Sequence, residues 1–276
     1  MQAPSQSKGI LKRKRLKKID LKDVASTAAF LAVFLAIWEV IFLLGIFPVV
    51  SLPSPLMVGQ SLIDLIQEGT LGSSIAVTML RLFVGFISAI MIGVGVGLVM
   101  VKFTHFGKTM NSFAVGLQSF PSIAWVPFAI LLIGLNDSGI LFVVIMSSVF
   151  SIMISTYSGI RNIPPIYLRS ATNMGAKGIS LFRHVMLPAA TPSLIIGIRQ
   201  GWSFAWHALV GAEMLITTLV GLGYILAVGR EFSNMSQIIA AMIVIFTIGL
   251  VFDRVVFSKI EEKVRDRWGL NQQSEP

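Results

Sequence analysis

Apolar residues along this chain fall into six long runs, at about residues 28–50, 78–101, 111–135, 140–160, 189–215 and 236–257. Each supplies the roughly 20 mainly apolar residues a helix needs to cross the hydrocarbon core of a bilayer. The pattern predicts six membrane-spanning helices. The most distinctive polar interruption, residues 161–188, lies between the fourth and fifth runs. Pro164 and Pro165 stand where proline suits a first helical turn, and Leu168, Ala171, Thr172 and Met174 then follow at helical spacing. Gly175-Ala176-Lys177-Gly178 breaks the period, with Gly175 suited to a left-handed helix stop. Ile179, Phe182, Val185 and Met186 restart it ahead of Leu187-Pro188. The prediction is a helix, a glycine knuckle and a second helix. Arg169, Lys177 and Arg183 bar this elbow from hydrocarbon, so it is expected in water on one side of the membrane.

The polar and small residues inside the runs change the picture further. Gly85, Ala89, Gly93 and Gly97 recur every fourth residue in the second run, and Gly197, Gly201 and Ala205 do so in the fifth. Such ridges let helices approach closely in lipid. Pro121 and Pro127, around Ser122 and Trp125, are expected to break the third span, and a broken span is where transporters often place substrate. Ser147, Ser151 and Ser155 form a hydroxyl stripe on the fourth, open to two readings, a translocation path or cross-helix hydrogen bonds. Glu39 falls near the middle of the first run, Arg81 near the outer mouth of the second, and Arg199 and Glu213 in the fifth. Intramembrane charge marks a functional candidate and demands a partner. Arg199 and Glu213 lie too far apart on one helix to pair with each other. The candidate pathway residues are therefore Arg81, Pro121, Ser122, Ser151, Arg199 and Glu213. Pro55 to Ile66 reads as a short surface helix, Lys102 to Lys108 as a short basic loop, Asn136 to Gly139 as a turn, and 217–235 as an outer segment.

Composition agrees. Of 276 residues, 55% are hydrophobic and only 13% charged, against about 25% charged in soluble domains. The formal net charge of +9 is concentrated in a basic arm at 1–25, the 102–108 loop, the elbow and a tail at 258–276, whereas the outer segments carry only Arg230. That bias places both termini in the cytosol. The arm holds Lys8, Lys12, Arg13, Lys14, Arg15, Lys17, Lys18 and Lys22, a run suited to anionic lipid. No aromatic residues interleave it, so nucleic acid is not an expected partner. Cysteine is absent. His105, His184 and His207 have no metal-ligand spacing. Gly107-Lys108-Thr109 lacks the upstream glycine of a phosphate loop, since Lys102 stands there. No nucleophile elbow or zinc-protease motif is present. The chain is expected to be no enzyme and to hold no cofactor or metal.

The elbow resembles the cytoplasmic loop of ABC importer permeases, E-A-A-x3-G-x9-I-x-L-P. Arg169-Ser170-Ala171 stands at E-A-A, Gly175 follows at the family interval, and Val185-Met186-Leu187-Pro188 closes the pattern. Arg169 replaces the glutamate. The resemblance covers about residues 35–270 and implies an all-α polytopic chain with a type I importer (MetI-like) core, multi-pass in the cell inner or plasma membrane. In that family the elbow is a coupling helix. It would dock an ATPase through Arg169, Ser170, Ala171, Gly175, Ala176, Lys177, Leu187 and Pro188, with ATP and magnesium on that separate subunit. The other partners implied are a second permease copy, making two ATPase subunits, and an extracytoplasmic solute-binding protein. The stretches LQSFPSIAWVPFAILLIGLNDSG, GIRQGWSFAWHALVGAEML and GLGY look like the subgroup that imports nitrate, sulfonates, taurine or bicarbonate, with Gln118 where that subgroup usually has arginine. Vitamin or pyrimidine-precursor importers resemble it as well. An ion-coupled secondary transporter using Glu39 or Glu213 is the alternative from another class.

Overall fold

The structure, a computed structural model, describes residues 21–216 and 219–267. The basic arm up to residue 20 and the tail beyond 267 lie outside these residues. All described regular structure is helical. Five helices are long and apolar enough to cross a membrane, and a sixth candidate is a bent pair. The described chain forms two units, Met1–Pro55 and Leu56–Pro276.

The first unit holds α1, Leu21–Leu43. The helix stops seven residues before the expected Val50 because Gly45 takes a left-handed φ of 64° and Pro48 lies just beyond. Glu39 consequently sits near the end of the helix and not at its middle. The indole Nε1 of Trp38 donates to the carbonyl of Pro53 at 2.9 Å, closing the turn that follows.

In the second unit α2 (Pro55–Gln67) is the short helix expected there. Gly69, at φ 73°, turns the chain into α3, Thr70–Lys102. This span starts eight residues before Thr78, since the stretch from Thr70 to Val77 holds no proline to stop a helix once Gly69 is passed. The basic loop at 102–108 contracts to the single residue Phe103, and α4, Thr104–Gln118, begins at once. The sharp return brings Gly107 against the Met100 carbonyl, and a Cβ there would also lie 2.9 Å from the Tyr157 ring.

The third span is broken, but by one proline and not two. A 96° bend separates α4 from Ser122–Leu132. Pro121 sits in the bend, followed by a short 3-10 turn at Ser122–Ala124 and α5, Trp125–Leu132. Pro127 falls in the first turn of α5, where a missing N–H costs little, so the helix runs through it. Asn136 then caps α6 (Asp137–Arg161), its side-chain oxygen accepting from the Gly139 N–H.

Helix α6 is the centre of the second unit, packed on α3 and on α9. Both small-residue ridges face it. A Cβ on Gly85 would lie 2.7 Å from Val144, one on Gly93 3.0 Å from Ile152, and one on Gly97 2.6 Å from Thr156. From the opposite side Gly197 abuts Ser155, and Gly201 lies against Ile152. Close backbone approach, not apolar burial alone, therefore sets these spacings in lipid. Gly97→Val is expected to cost about 1–3 kcal/mol by overpacking. Gly95→Val, on the open face of the same helix, should leave thermal unfolding of the purified chain nearly unchanged. Equal effects at the two positions would refute the ridge.

After α6 the chain forms α7 (Pro165–Asn173), α8 (Gly178–Leu181) and a π-turn at Phe182–Met186, then runs without a break into α9 (Leu187–Leu215). Within the segment expected outside, Leu222–Glu231 is a helix, α10. It packs on α11, Met235–Val251, where Gln237 donates to the Ile225 carbonyl at 3.1 Å. The last span extends beyond its expected end at 257. A second π-turn, Phe252–Phe257, leads directly into α12, Ser258–Arg267.

Candidate functional site

The elbow is built by local signals in its own sequence. Pro165 occupies the first turn of α7. At its end the Gly175 N–H donates to Thr172 O at 3.0 Å and the Ala176 N–H to Ala171 O at 3.0 Å. Gly175, at φ 89°, takes the left-handed conformation this closure needs. Gly178 turns at φ 54° and opens the second arm. The π-turn that follows directs the Leu187 N–H to Phe182 O. Pro188, which has no N–H to offer, falls in the first turn of α9.

One face of the elbow is anchored and the other is bare. Leu168, Phe182 and Met186 pack with Leu98, Val101 and Leu194 onto a core of Ile160, Ile163 and Ala190. That core joins the elbow to the adjoining ends of α3, α6 and α9. On the opposite face Met174 is 87% exposed and Ile179 84%. Arg169, Ser170 and Lys177 are exposed around them, while Ala171 and Ala176 are half-buried. The exposed face is thus an apolar patch, Met174 and Ile179, ringed by basic groups.

At the far end of the bundle the charged candidates meet. Glu213 is fully buried. Its carboxylate accepts from Arg81 Nη1 at 2.9 Å, from the Thr78 hydroxyl at 2.9 and 3.0 Å and from the Gly223 N–H at 3.1 Å. Arg81 also donates to the Val220 carbonyl at 2.8 Å and, through Nη2, to Asp137 at 2.7 Å. Thr78 accepts from the Leu222 N–H at 2.9 Å. The network ties the ends of α3, α6 and α9 to the start of α10. Two glycines make room for it: a Cβ on Gly221 would lie 2.7 Å from the Glu213 carboxylate, and one on Gly223 2.6 Å from Glu213 Cβ. Arg81 therefore turns inward, onto Glu213.

Arg199 stands apart, near the middle of α9. Its Nε and Nη2 bind Asp253 bidentately, each at 2.9 Å, and Nη1 reaches Glu261 at 2.6 Å. With Asp253 it forms one end of a cavity of about 480 Å³ between α9 and α11, walled by Trp202, Trp206 and Phe246. Ser151 is buried between α6 and α9, donating to Gly197 O at 3.2 Å and lying 3.3 Å from Gln200 Oε1. Pro121 and Ser122 form the bend beside α6. The structure thus joins Arg81 to Glu213 but leaves Arg199, Ser151 and the bend as separate places. Nothing in the sequence alone marks Thr78, Gly223, Asp137, Asp253 or Glu261 as their partners. The one available signal is the demand of each buried charge for a partner.

Comparison with known proteins gives these features a context. The pattern of the family described as "Binding-protein-dependent transport system inner membrane component" matches residues 89–260. A protein of Methanocaldococcus jannaschii, provisionally named as an ABC transporter permease, is 32% identical over 86% of this chain and 90% of its own. SsuC of Escherichia coli, provisionally named for aliphatic sulfonates transport, is 31% identical over 84% and 88%. The nitrate import permease NrtB of Synechocystis is 28% identical over 89% and 91%. In fold, the chain is similar to an inward-facing structure of the MetNI methionine ABC transporter, with a TM-score of 0.59 and 16% identity over 72% of this chain and 97% of that one.

Proposed function

Because the chain belongs to the family of binding-protein-dependent transport system inner membrane components and is an ABC importer permease subunit, we propose that it imports a small oxyanion under the drive of ATP. The observation that carries the mechanism is the two-faced elbow. Its apolar patch at Met174 and Ile179 is exposed, and its half-buried face is packed against the ends of three spans. An ATPase subunit gripping that patch would move α3, α6 and α9 together. Nucleotide state can shift access only if the elbow binds the closed and open motor with different affinity. ATP and magnesium belong to the motor, and a second permease copy would present the second elbow. A solute-binding protein would deliver cargo at the end carrying α10. Arg169, standing where the family pattern has glutamate, makes this elbow basic together with Lys177 and Arg183, so its ATPase groove is expected to be acidic.

The oxyanion assignment rests on relatives named for nitrate and for sulfonates. It is tested with the permease, its ATPase and its binding protein in proteoliposomes. ATP-dependent uptake of nitrate, an alkylsulfonate or bicarbonate supports it. Uptake of an uncharged vitamin precursor instead overturns the cargo and keeps the motor. Uptake that follows a proton gradient without ATP overturns both.

A further inference from the structure

We propose that Arg199 is a positioning residue that yokes α12 to the elbow helix, and that the π-turn at Phe252–Phe257 exists to make that yoke possible. The transport role of the yoke rests on the permease reading above; its existence does not.

Helical register sets the requirement. Asp253 and Glu261, the two carboxylates on Arg199, are eight residues apart. In an uninterrupted α-helix eight residues make about 2.2 turns and leave the two side chains about 80° apart around the axis. A π-turn closes from i to i+5 and takes up about one residue more. One α-turn and one π-turn together consume about eight residues, which returns both carboxylates to one face. The wider closure is present: the Ser258 N–H donates to Asp253 O, and the Ser258 hydroxyl reaches the same carbonyl at 3.1 Å. An unusual helical turn thus lies between the two acids that Arg199 grips, and π-turns in helices frequently mark functional positions.

The guanidinium geometry is selective. Nε and Nη2 form a fork on Asp253 and Nη1 alone serves Glu261, a division of donors that lysine cannot reproduce. Each Arg199 nitrogen already serves a carboxylate, so no guanidinium fork is left for an oxyanion. Arg199 lies on the helix whose first turns form the second arm of the elbow, since Gly178 to Leu215 is continuous. A displacement entering at the knuckle is carried along that helix and across Arg199 into α12.

The test is a register shift. Inserting one alanine after Lys259 carries Glu261 about 100° around the helix axis and off Arg199. In the purified chain alone, the insertion and Arg199→Gln should each lower the thermal midpoint, and the two losses should not add. In the reconstituted complex the insertion should raise ATP hydrolysed per solute imported several-fold. Additive losses from the two changes, or an insertion that leaves both midpoint and stoichiometry unchanged, would overturn the yoke. Should the insertion fail to fold, a cycle of Arg199→Gln and Glu261→Gln decides instead: additive losses refute the contact, and non-additive losses support it. The midpoints need neither ATPase nor cargo, so they fail separately from the transport reading.

Discussion

Replacing Glu213 with alanine is expected to destabilise the folded chain by about 3–5 kcal/mol, the range for removing one partner of a buried ion pair. The loss is large because Glu213 is the shared acceptor of three donor groups, Arg81 Nη1, the Thr78 hydroxyl and the Gly223 N–H. Truncation leaves Arg81 with Asp137 and the Val220 carbonyl and strands the other donors. Water cannot easily enter to replace the carboxylate, since Glu213 and Thr78 are both fully buried. Gln at the same position keeps an acceptor oxygen and the shape, and should lose much less. Thermal unfolding of the detergent-solubilised chain measures both. Glu213→Ala as stable as the parent chain would show that the network does not hold the far end together. The same bonding argues against Glu213 as an exchangeable proton site for ion-coupled transport, because each oxygen is already held by fixed donors.

The second large effect is expected at the bare face of the elbow. Met174→Asp combined with Ile179→Asp should abolish ATPase capture while leaving the permease folded. Centrally placed interface anchors are commonly worth 2 kcal/mol or more apiece, so the pair should weaken association by at least about a thousandfold if their effects add. Neither side chain contributes to the folded core, as both are more than four-fifths exposed. Leu168→Ala is the contrasting change. It thins the apolar core beneath the elbow, so it should permit docking yet transmit less, with ATP hydrolysis retained and uptake reduced. Co-purification with the ATPase and the ratio of hydrolysis to uptake separate the two outcomes.

The elbow was legible because its signals are local: prolines before a helix, a glycine where a left-handed residue must stand, and an apolar period that restarts. The small-residue ridges were legible for a similar reason, since four-residue spacing on a helix specifies one face. Their common partner was not, because nothing in Gly93 or Gly197 names α6. The charge network was half legible. Arg81 and Glu213 each demanded a partner, but they lie 132 residues apart, and Asp137 read as an ordinary turn residue. Helix ends misled where a lone glycine outweighed hydrophobicity, as at Gly45, or where the helix began ahead of the apolar run, as at Thr70. Of two prolines in one span, only Pro121 bent it, because position within the turn, and not proline itself, decides the cost. The π-turns have no sequence mark at all. Each shows only in its i to i+5 closure, Leu187 N–H to Phe182 O and Ser258 N–H to Asp253 O.

The central claim is that the knuckle at Gly175 is held by a separate nucleotide-driven subunit. The chain contains no cysteine, so a single cysteine at Met174 gives a background-free probe. Cross-linking it in the assembled, transporting complex should capture the ATPase in high yield, with a yield that changes between nucleotide-free and ATP-bound states. A complex that imports its solute while the probe at position 174 stays freely reactive to a water-soluble thiol reagent and captures no ATPase would contradict the account.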